Sequence, residues 1–307
     1  MQVLTPCCIC NSSTNRIVFP STLRPSEHWF DGFNPYSGHY QINRCEGCGL
    51  IYSSPIFDDS DIKSLYSGYK EANVTQRELA NVKRTMAGYF HLASPYLHER
   101  QRILDVGCDI GLLLEVARDD NFQELYGLEP VDVARAEAVR RLPAAHISEQ
   151  FYQRDLFDDD YFDLISLIHV VDHLVHPEQT LSFVWEQLKP GGICVAVVHN
   201  VESLFARLLG ERFPVFNFFH HYFFTKQSLR KLFESRGFEP LSVVATKNCY
   251  SLSFFLERLP LLPSSLRTTL SEVAHYLWIG RIPVSIPIGN IAIVARKPSS
   301  SAGLPKP

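Results

Sequence analysis

From Arg102 onward the chain alternates short, continuously apolar runs with amphipathic stretches. Arg102 to Gly107 (RILDVG) predicts a buried strand, and Leu112 to Asp120 the helix after it. Leu125 to Glu129 and Val131 to Leu142 repeat that pair. Phe162 to Val170 predicts a third strand, and Pro177 to Leu188 a helix whose proline falls early, where its missing N–H costs nothing. Lys189 to Gly192 predicts a turn and Ile193 to His199 another apolar strand. Thr225 to Arg236 predicts a capped helix ended by Gly237, with strands following near Leu241 to Thr246 and Asn290 to Arg296. Strands without polar alternation are covered on both faces, so the pattern predicts an α/β fold with a doubly wound, mostly parallel sheet.

The first 60 or so residues are different: rich in Pro, Ser and aromatic residues, without helical periodicity. After the polar Asp58-Asp59-Ser60-Asp61 comes a mixed helical stretch to about Tyr96. The expected organisation is a small module over 1–60, a helical linker over 61–100, an α/β domain over 101–297 with an apolar insertion at 251–287, and a disordered tail at 298–307.

The first strand runs into Asp105-Val106-Gly107-Cys108-Asp109-Ile110-Gly111, which opens a helix. Such a turn lets backbone approach a ligand outside the C-terminal ends of the strands. Glu129 ends the second strand, 18 residues after Gly111, where an acid accepts ribose hydroxyls. Together these features predict an adenosine-like ligand. A dinucleotide site prefers G-x-G-x-x-G, so that pyrophosphate meets the helix N-terminus, whereas the spacing here is D-x-G-x-D-x-G.

That loop resembles the first motif of the class I S-adenosylmethionine-dependent methyltransferases. Phe162-Asp163-Leu164-Ile165 is similar to their "FDVV" strand, Asp172-His173-Leu174 with Pro177 to their "EH(V/L)xxP" turn, and Leu188-Lys189-Pro190-Gly191-Gly192 to "LKPGG". His220-His221-Tyr222-Phe223-Phe224-Thr225, continuing to Arg236-Gly237-Phe238, resembles the "HLYYFT…AGF" segment of one branch. The resemblance implies a Rossmann-like seven-stranded methyltransferase sheet, with S-adenosylmethionine held by Asp105, Gly107, Asp109, Gly111 and Glu129. Asp109 stands where the family has its middle glycine; it would crowd the methionine end of the cofactor or bind its ammonium group. Asp tolerates left-handed backbone well enough for the turn to survive. Glu149, Gln150 and Phe151 fall near the expected adenine position, although no motif fixes them.

Five of the eight cysteines lie within the first 48 residues. Cys7-x-x-Cys10 and Cys45-x-x-Cys48, with 34 residues between them, are two knuckles able to close a tetrahedral zinc site. The stretch from Cys45 resembles the zinc ribbon preceding some methyltransferases of this branch, including sugar C-methyltransferases. A complete four-cysteine shell leaves no open position, so the zinc is expected to be structural. Cys8 is a competing ligand, while Cys108, Cys194 and Cys249 read as small buried apolar residues.

Methyl transfer to a hydroxyl needs alignment and a base at the C-terminal edge of the sheet. His173, His220 and His221 are the leading candidates; Asp172 is suited to orienting a histidine. His169 closes the third strand and is a candidate cofactor-binding residue as well as a further candidate base. A metal reading of His169, His173 and His176 lacks the glutamate of H-E-x-x-H, since Val170 occupies that place.

Composition narrows the partners. The 307 residues hold 29 Lys and Arg against 33 Asp and Glu, a net charge of −4 without a long basic run, which disfavours a nucleic-acid partner. No secretory signal or membrane-length apolar run is visible, so a cytoplasmic protein is expected. The expected acceptor is a small molecule: a sugar or glycan precursor by resemblance, then a quinone or polyketide-type hydroxyl. The apolar insertion (Phe254-Phe255-Leu256, Leu259 to Leu262, Tyr276 to Ile279) is expected to form a helical cap or homodimer surface, or to contact a lipid-linked substrate. Competing readings are a non-catalytic cofactor-binding or scaffolding protein and an NAD-dependent sugar-modifying enzyme.

Overall fold

The computed structural model describes residues 2–3, 6–23, 38–57, 76, 78–257 and 263–299. In chain order the N-terminal region holds β1 (Gln2–Val3), β2 (Asn15–Phe19), β3 (Ile42–Cys45), β4 (Ile51–Ser53) and β5 (Ile56–Phe57). Then come α1 (Leu79–Ala93), β6 (Arg102–Val106), α2 (Leu112–Asp119), β7 (Glu124–Leu128), α3 (Asp132–Arg141), β8 (His146–Ser148), β9 (Phe162–Ile168), α4 (Pro177–Gln187) and β10 (Leu188–His199). The remainder is α5 (Leu204–Leu209), β11 (Tyr222–Phe223), α6 (Lys226–Glu234), β12 (Glu239–Ser251), α7 (Leu252–Glu257), α8 (Ser264–Tyr276) and β13 (Pro283–Arg296).

Seven strands form one sheet in the order β12-β13-β10-β9-β6-β7-β8. The β6–β7, β6–β9, β7–β8 and β9–β10 pairs are parallel, whereas β13 runs antiparallel to both its neighbours. Strand order reverses between β6 and β9. A doubly wound sheet opens a crevice at such a switch point, outside the C-terminal strand ends. Neighbouring residues of one strand serve opposite cores. Leu104, Ile165, Ala196 and Ile293 join Leu181 and Val184 of α4 and Leu229, Leu232 and Phe233 of α6 on one face. Ile103, Leu164, Val195 and Val294 join Phe90 of α1 and Leu113, Leu114 and Ala117 of α2 on the other. Each of the larger of these side chains (Leu, Ile, Val, Phe) stabilises the fold by roughly 1.5–3 kcal/mol, which is why these strands carry no polar alternation.

The structure departs from the sequence reading in several places. Lys189 to Gly192 is not a free turn: β10 pairs with β9 at Leu188 and resumes at Ile193, with the glycines in the irregularity between. The third strand ends at Ile168. The last strand starts at Pro283 rather than Asn290, because a lengthened β12 pairs with it from Ser251↔Pro283 onward. Within the insertion, α7 and α8 are helical, and Tyr276, Leu277, Trp278 and Ile279 are exposed to solvent. Asp58 to Asp61, Leu259 to Leu262 and the end of the tail lie outside the described residues. Among the described residues no helix is long and apolar enough to cross a membrane.

A second sheet, β11-β4-β3-β2, takes three strands from the N-terminal region and the fourth from residues 222–223. The N-terminal region is thereby laced to the sheet domain. It also shares a core with it: Cys7, Cys8, Leu50 and Tyr52 pack in the same cluster as Leu229 and Phe233. At the start of α6, Thr225 Oγ1 accepts the Ser228 N–H at 3.1 Å while Ser228 Oγ accepts the Thr225 N–H at 2.9 Å. This reciprocal cap holds the helix that supports the N-terminal region. Thr225→Ala should lower stability by about 1 kcal/mol, seen as a lower urea midpoint with an unchanged slope.

Candidate active site

The glycine loop sits at the reversal between β6 and β9. Gly107 (φ +70°) and Gly111 (φ +80°) both adopt left-handed backbone, as does Asp109 (φ +46°). Gly107 and Gly111 leave no easy room for a side chain: a Cβ on Gly107 would meet Val170 Cγ2 at 3.0 Å, and one on Gly111 would meet Leu142 Cδ1 at 3.1 Å. Glu129 closes the loop from the neighbouring strand, its Oε2 accepting the Asp109 N–H at 2.9 Å and its Oε1 the Val131 N–H at 2.8 Å. Two of the four lone-pair sites of that carboxylate are thereby used. Asp105, buried under the loop, accepts the Ser166 hydroxyl at 2.6 Å and so ties β6 to β9.

Three acids therefore converge on one crevice. Burial pushes the Asp105 carboxyl up to about 7, with the charges of Glu129 and Asp109 adding to the rise against the Ser166 hydrogen bond. Burial also raises Asp109, and it raises Glu129 against the two backbone N–H groups. Asp109 Oδ1 is buried without a hydrogen-bond partner. A crevice with this electrostatics favours a cationic ligand and repels a pyrophosphate. The residues present thus fit S-adenosylmethionine, which carries both an ammonium and a sulfonium.

Beside the crevice lies a cluster of histidines from three segments. His169 follows β9 with φ +55°, a left-handed conformation at a strand end, and Asn290 Nδ2 of β13 approaches its Nε2 at 3.3 Å. Asp172 is 1% exposed, and its Oδ2 accepts Nδ1–H of His199, the last residue of β10, at 2.9 Å. Burial opposes the charge on Asp172, but the hydrogen bond from His199 holds its carboxyl well below the usual range. His173 Nδ1 lies 2.9 Å from Phe219 O, His220 Nδ1 3.1 Å from Asn217 Oδ1, and His221 Nδ1 3.2 Å from Leu174 O. The His173 and His220 rings are 4.3 Å apart, His199 and His220 4.9 Å, and His169 and His199 4.7 Å. Burial lowers His169 to about 3 and His221 to about 4, and pushes His173 and His220 down as well, so these four imidazoles are neutral.

The structure brings His169, His173 and His220 together, while His221 is fully enclosed beside Leu174. His176 stands apart, half exposed and 3.5 Å from Glu178. His199 was not among the sequence candidates. Its signal was modest, a polar residue closing an apolar strand at the ligand edge, and its partner Asp172 is remote in sequence. The LKPGG segment lies at the opposite edge, by a cavity of about 300 Å³, where Lys189 pairs with Asp163 at 2.6 Å.

In the N-terminal region the sulfurs of Cys7, Cys10, Cys45 and Cys48 lie within 4.8 Å of one another. Cys7 Sγ and Cys48 Sγ are 3.3 Å apart, and Cys10 Sγ and Cys45 Sγ 3.4 Å. Cys8 is outside this group. Four thiols from two turns at this spacing fit a tetrahedral zinc shell.

Residues 78–243, more than half of the chain, match a family model described as a methyltransferase domain, and the chain belongs to that family. It is 29% identical over 167 residues to the ubiquinone biosynthesis O-methyltransferase of Dinoroseobacter shibae, covering 49% of this chain and 64% of that protein. To the enzyme of the same name from Roseobacter denitrificans it is 32% identical over 143 residues, covering 41% and 53%. The chain thus spans between half and two thirds of the length of these relatives. Among solved structures, a chain in the complex between the Trm112 methyltransferase activator and a methyltransferase of Haloferax volcanii aligns with TM-score 0.50 at 16% identity, covering 79% of this chain and 99% of that one. That likeness is one of fold: a Rossmann-like methyltransferase sheet.

The elevated Asp105 carboxyl has a consequence for stability. Its folded value of about 7 exceeds the ordinary 3.8, so the folded state holds the proton more tightly. The protein without ligand should lose stability as pH rises from about 4 to about 7. Asp105→Asn keeps an acceptor for Ser166 and should flatten that decline, checked by urea midpoints of both proteins at about pH 5 and about pH 8.

Proposed function

We propose that the protein transfers a methyl group from S-adenosylmethionine to a hydroxyl of a small-molecule acceptor. The observation that carries this reading is the acidic glycine loop at the switch point, with an unpaired buried Asp109 oxygen. Asp109 receives the ammonium of the cofactor, Glu129 the ribose hydroxyls through its two remaining lone-pair sites, and the backbone of 107–111 the methionine portion. When bound, the cofactor supplies an electrophilic sulfonium methyl at the edge of the histidine cluster. A pyrophosphate would meet three carboxyls instead of a bare helix N-terminus, which argues against the NAD reading.

His199 is the general base in this reading. The Asp172 carboxylate fixes its Nδ1 as the protonated nitrogen, leaving Nε2 as an acceptor for the hydroxyl proton, and its side chain is 26% exposed and so reachable. His169, His173 and His220 stand in ring contact around it, and Asn290 Nδ2 approaches His169 Nε2 at 3.3 Å. Sequence resemblance favours a sugar or glycan precursor as acceptor, and the relatives named for ubiquinone biosynthesis favour a hydroxylated aromatic. The cysteine cluster holds a structural zinc, closed to substrate.

The test is formation of S-adenosylhomocysteine and methylated product with two acceptor panels, nucleotide sugars and dihydroxy-aromatic acids. Conversion with either supports transfer and identifies the class; cofactor binding with no acceptor methylated would support the scaffolding alternative. Asp109→Asn removes the charge and should weaken S-adenosylmethionine roughly 10- to 100-fold by calorimetry, the scale of a charge-assisted hydrogen bond of about 1.5–3 kcal/mol. Unchanged affinity would remove Asp109 from the ammonium site. His199→Gln retains a donor towards Asp172 and should lower kcat by about 10²–10⁴-fold while leaving cofactor affinity intact.

A further inference from the structure

The histidine cluster has a feature that a lone general base does not require. Carbonyl and carboxylate oxygens only accept, so the ring nitrogen facing each one must carry the proton. For His173 this fixes Nδ1–H towards Phe219 O, and for His220 Nδ1–H towards Asn217 Oδ1. The Asn217 amide is oriented by its own contacts: its Nδ2 donates to Pro214 O at 2.9 Å and its Oδ1 accepts the Phe219 N–H at 2.9 Å. Both rings are therefore left with a bare Nε2 lone pair. Metal-ligating histidines show this arrangement, with the second nitrogen anchored to a carbonyl or amide oxygen.

A third donor stands with them. Asp172 Oδ1 is buried with no hydrogen-bond partner, although its sister oxygen is bound by His199. One donor atom each from Asp172, His173 and His220 lies within 4.8 Å of the others. An unpaired carboxylate oxygen this deeply buried is costly unless a cation or a donor reaches it. Bonds of about 2.0–2.1 Å to a central ion would draw the donors to roughly 3.3 Å apart, a movement within reach of small ring rotations.

We propose that Asp172, His173 and His220 bind a divalent transition-metal ion of the zinc class, leaving a coordination position open to an oxygen of the acceptor. Two imidazoles and one carboxylate select zinc-like ions over magnesium or calcium, which take oxygen donors. Three protein ligands with one open place are the arrangement of a reactive rather than a structural zinc. The site is separate from the cysteine cluster. It rests on the methyltransfer reading only for its purpose, since an acceptor hydroxyl held by the ion would stand beside His199 Nε2. Asp172 then serves both: Oδ1 holds the ion and Oδ2 orients His199.

The full chain, stripped of metal and titrated with Co²⁺, tests this. Cobalt on the cysteines gives intense thiolate charge-transfer absorption, whereas cobalt on nitrogen and oxygen donors gives weak visible bands without it. The wild type should show both signatures. His173→Ala and His220→Ala should each bind one equivalent fewer than wild type by elemental analysis and lose the weak bands, while thiolate absorption and thermal midpoint stay near wild type. Equal metal content in wild type and both variants would overturn the site. So would a wild-type spectrum of thiolate-bound cobalt alone, which decides the matter even where a variant fails to fold. Calorimetry with S-adenosylhomocysteine on the same wild-type preparation separates the two ideas. Homocysteine-nucleoside binding without the second metal sinks the metal site alone; the second metal without such binding sinks the methyltransfer reading alone.

Discussion

Asp172 is a carboxylate kept almost entirely from water, and the architecture around the site follows from having to satisfy it. Its Oδ2 is taken by His199 at the end of β10. Its main-chain carbonyl accepts the N–H groups of His221 and Tyr222 at 2.8 and 3.2 Å. One residue thereby fixes the loop after β9 against the end of the neighbouring strand and against the aromatic segment that carries His220 and His221. Removing one partner from a buried charge of this kind typically costs about 3–5 kcal/mol. The backbone that carries the histidine cluster is therefore tied to the sheet edge on which it is built.

The glycine loop obeys the opposite logic. There the acids are only partly satisfied: Asp109 Oδ1 has no partner, and burial raises both Asp105 and Glu129. Asp109, in place of the middle glycine, puts a side chain into a tight turn and a third acid into a buried crevice. Neither change strengthens the unliganded protein. Both become favourable once a cation enters, because a charge-assisted hydrogen bond then offsets the desolvation. On the proposed function, the departure from the family pattern serves ligand binding.

The strands of the main sheet were legible because burial on both faces leaves continuous apolar runs, as in Phe162 to Ile168. The glycine loop and Glu129 were legible because they are local to strand ends. β8 was not, since three half-exposed residues, His146 to Ser148, give too short a pattern. Lys189 to Gly192 read as a turn because Pro and Gly ordinarily interrupt strands, yet pairing at Leu188 carries β10 across them. The His199–Asp172 pair joins residues 27 apart, and the β4–β11 ladder joins Tyr52 to Tyr222. Contacts of that range arise from the tertiary fold, and no periodicity in either segment announces them.

The same ladder explains why a cysteine-rich module belongs on this chain. Ser53, the last residue of β4, donates its N–H to His221 O at 2.8 Å and its hydroxyl to His220 O at 3.4 Å. Lys231 of α6 reaches back to Cys48 O at 3.1 Å. The four cysteines thus flank a sheet whose far edge holds the backbone of His220 and His221. The β3–β4–β11 ladder therefore joins the turns that carry the cysteines to the segment that sets where His220 stands.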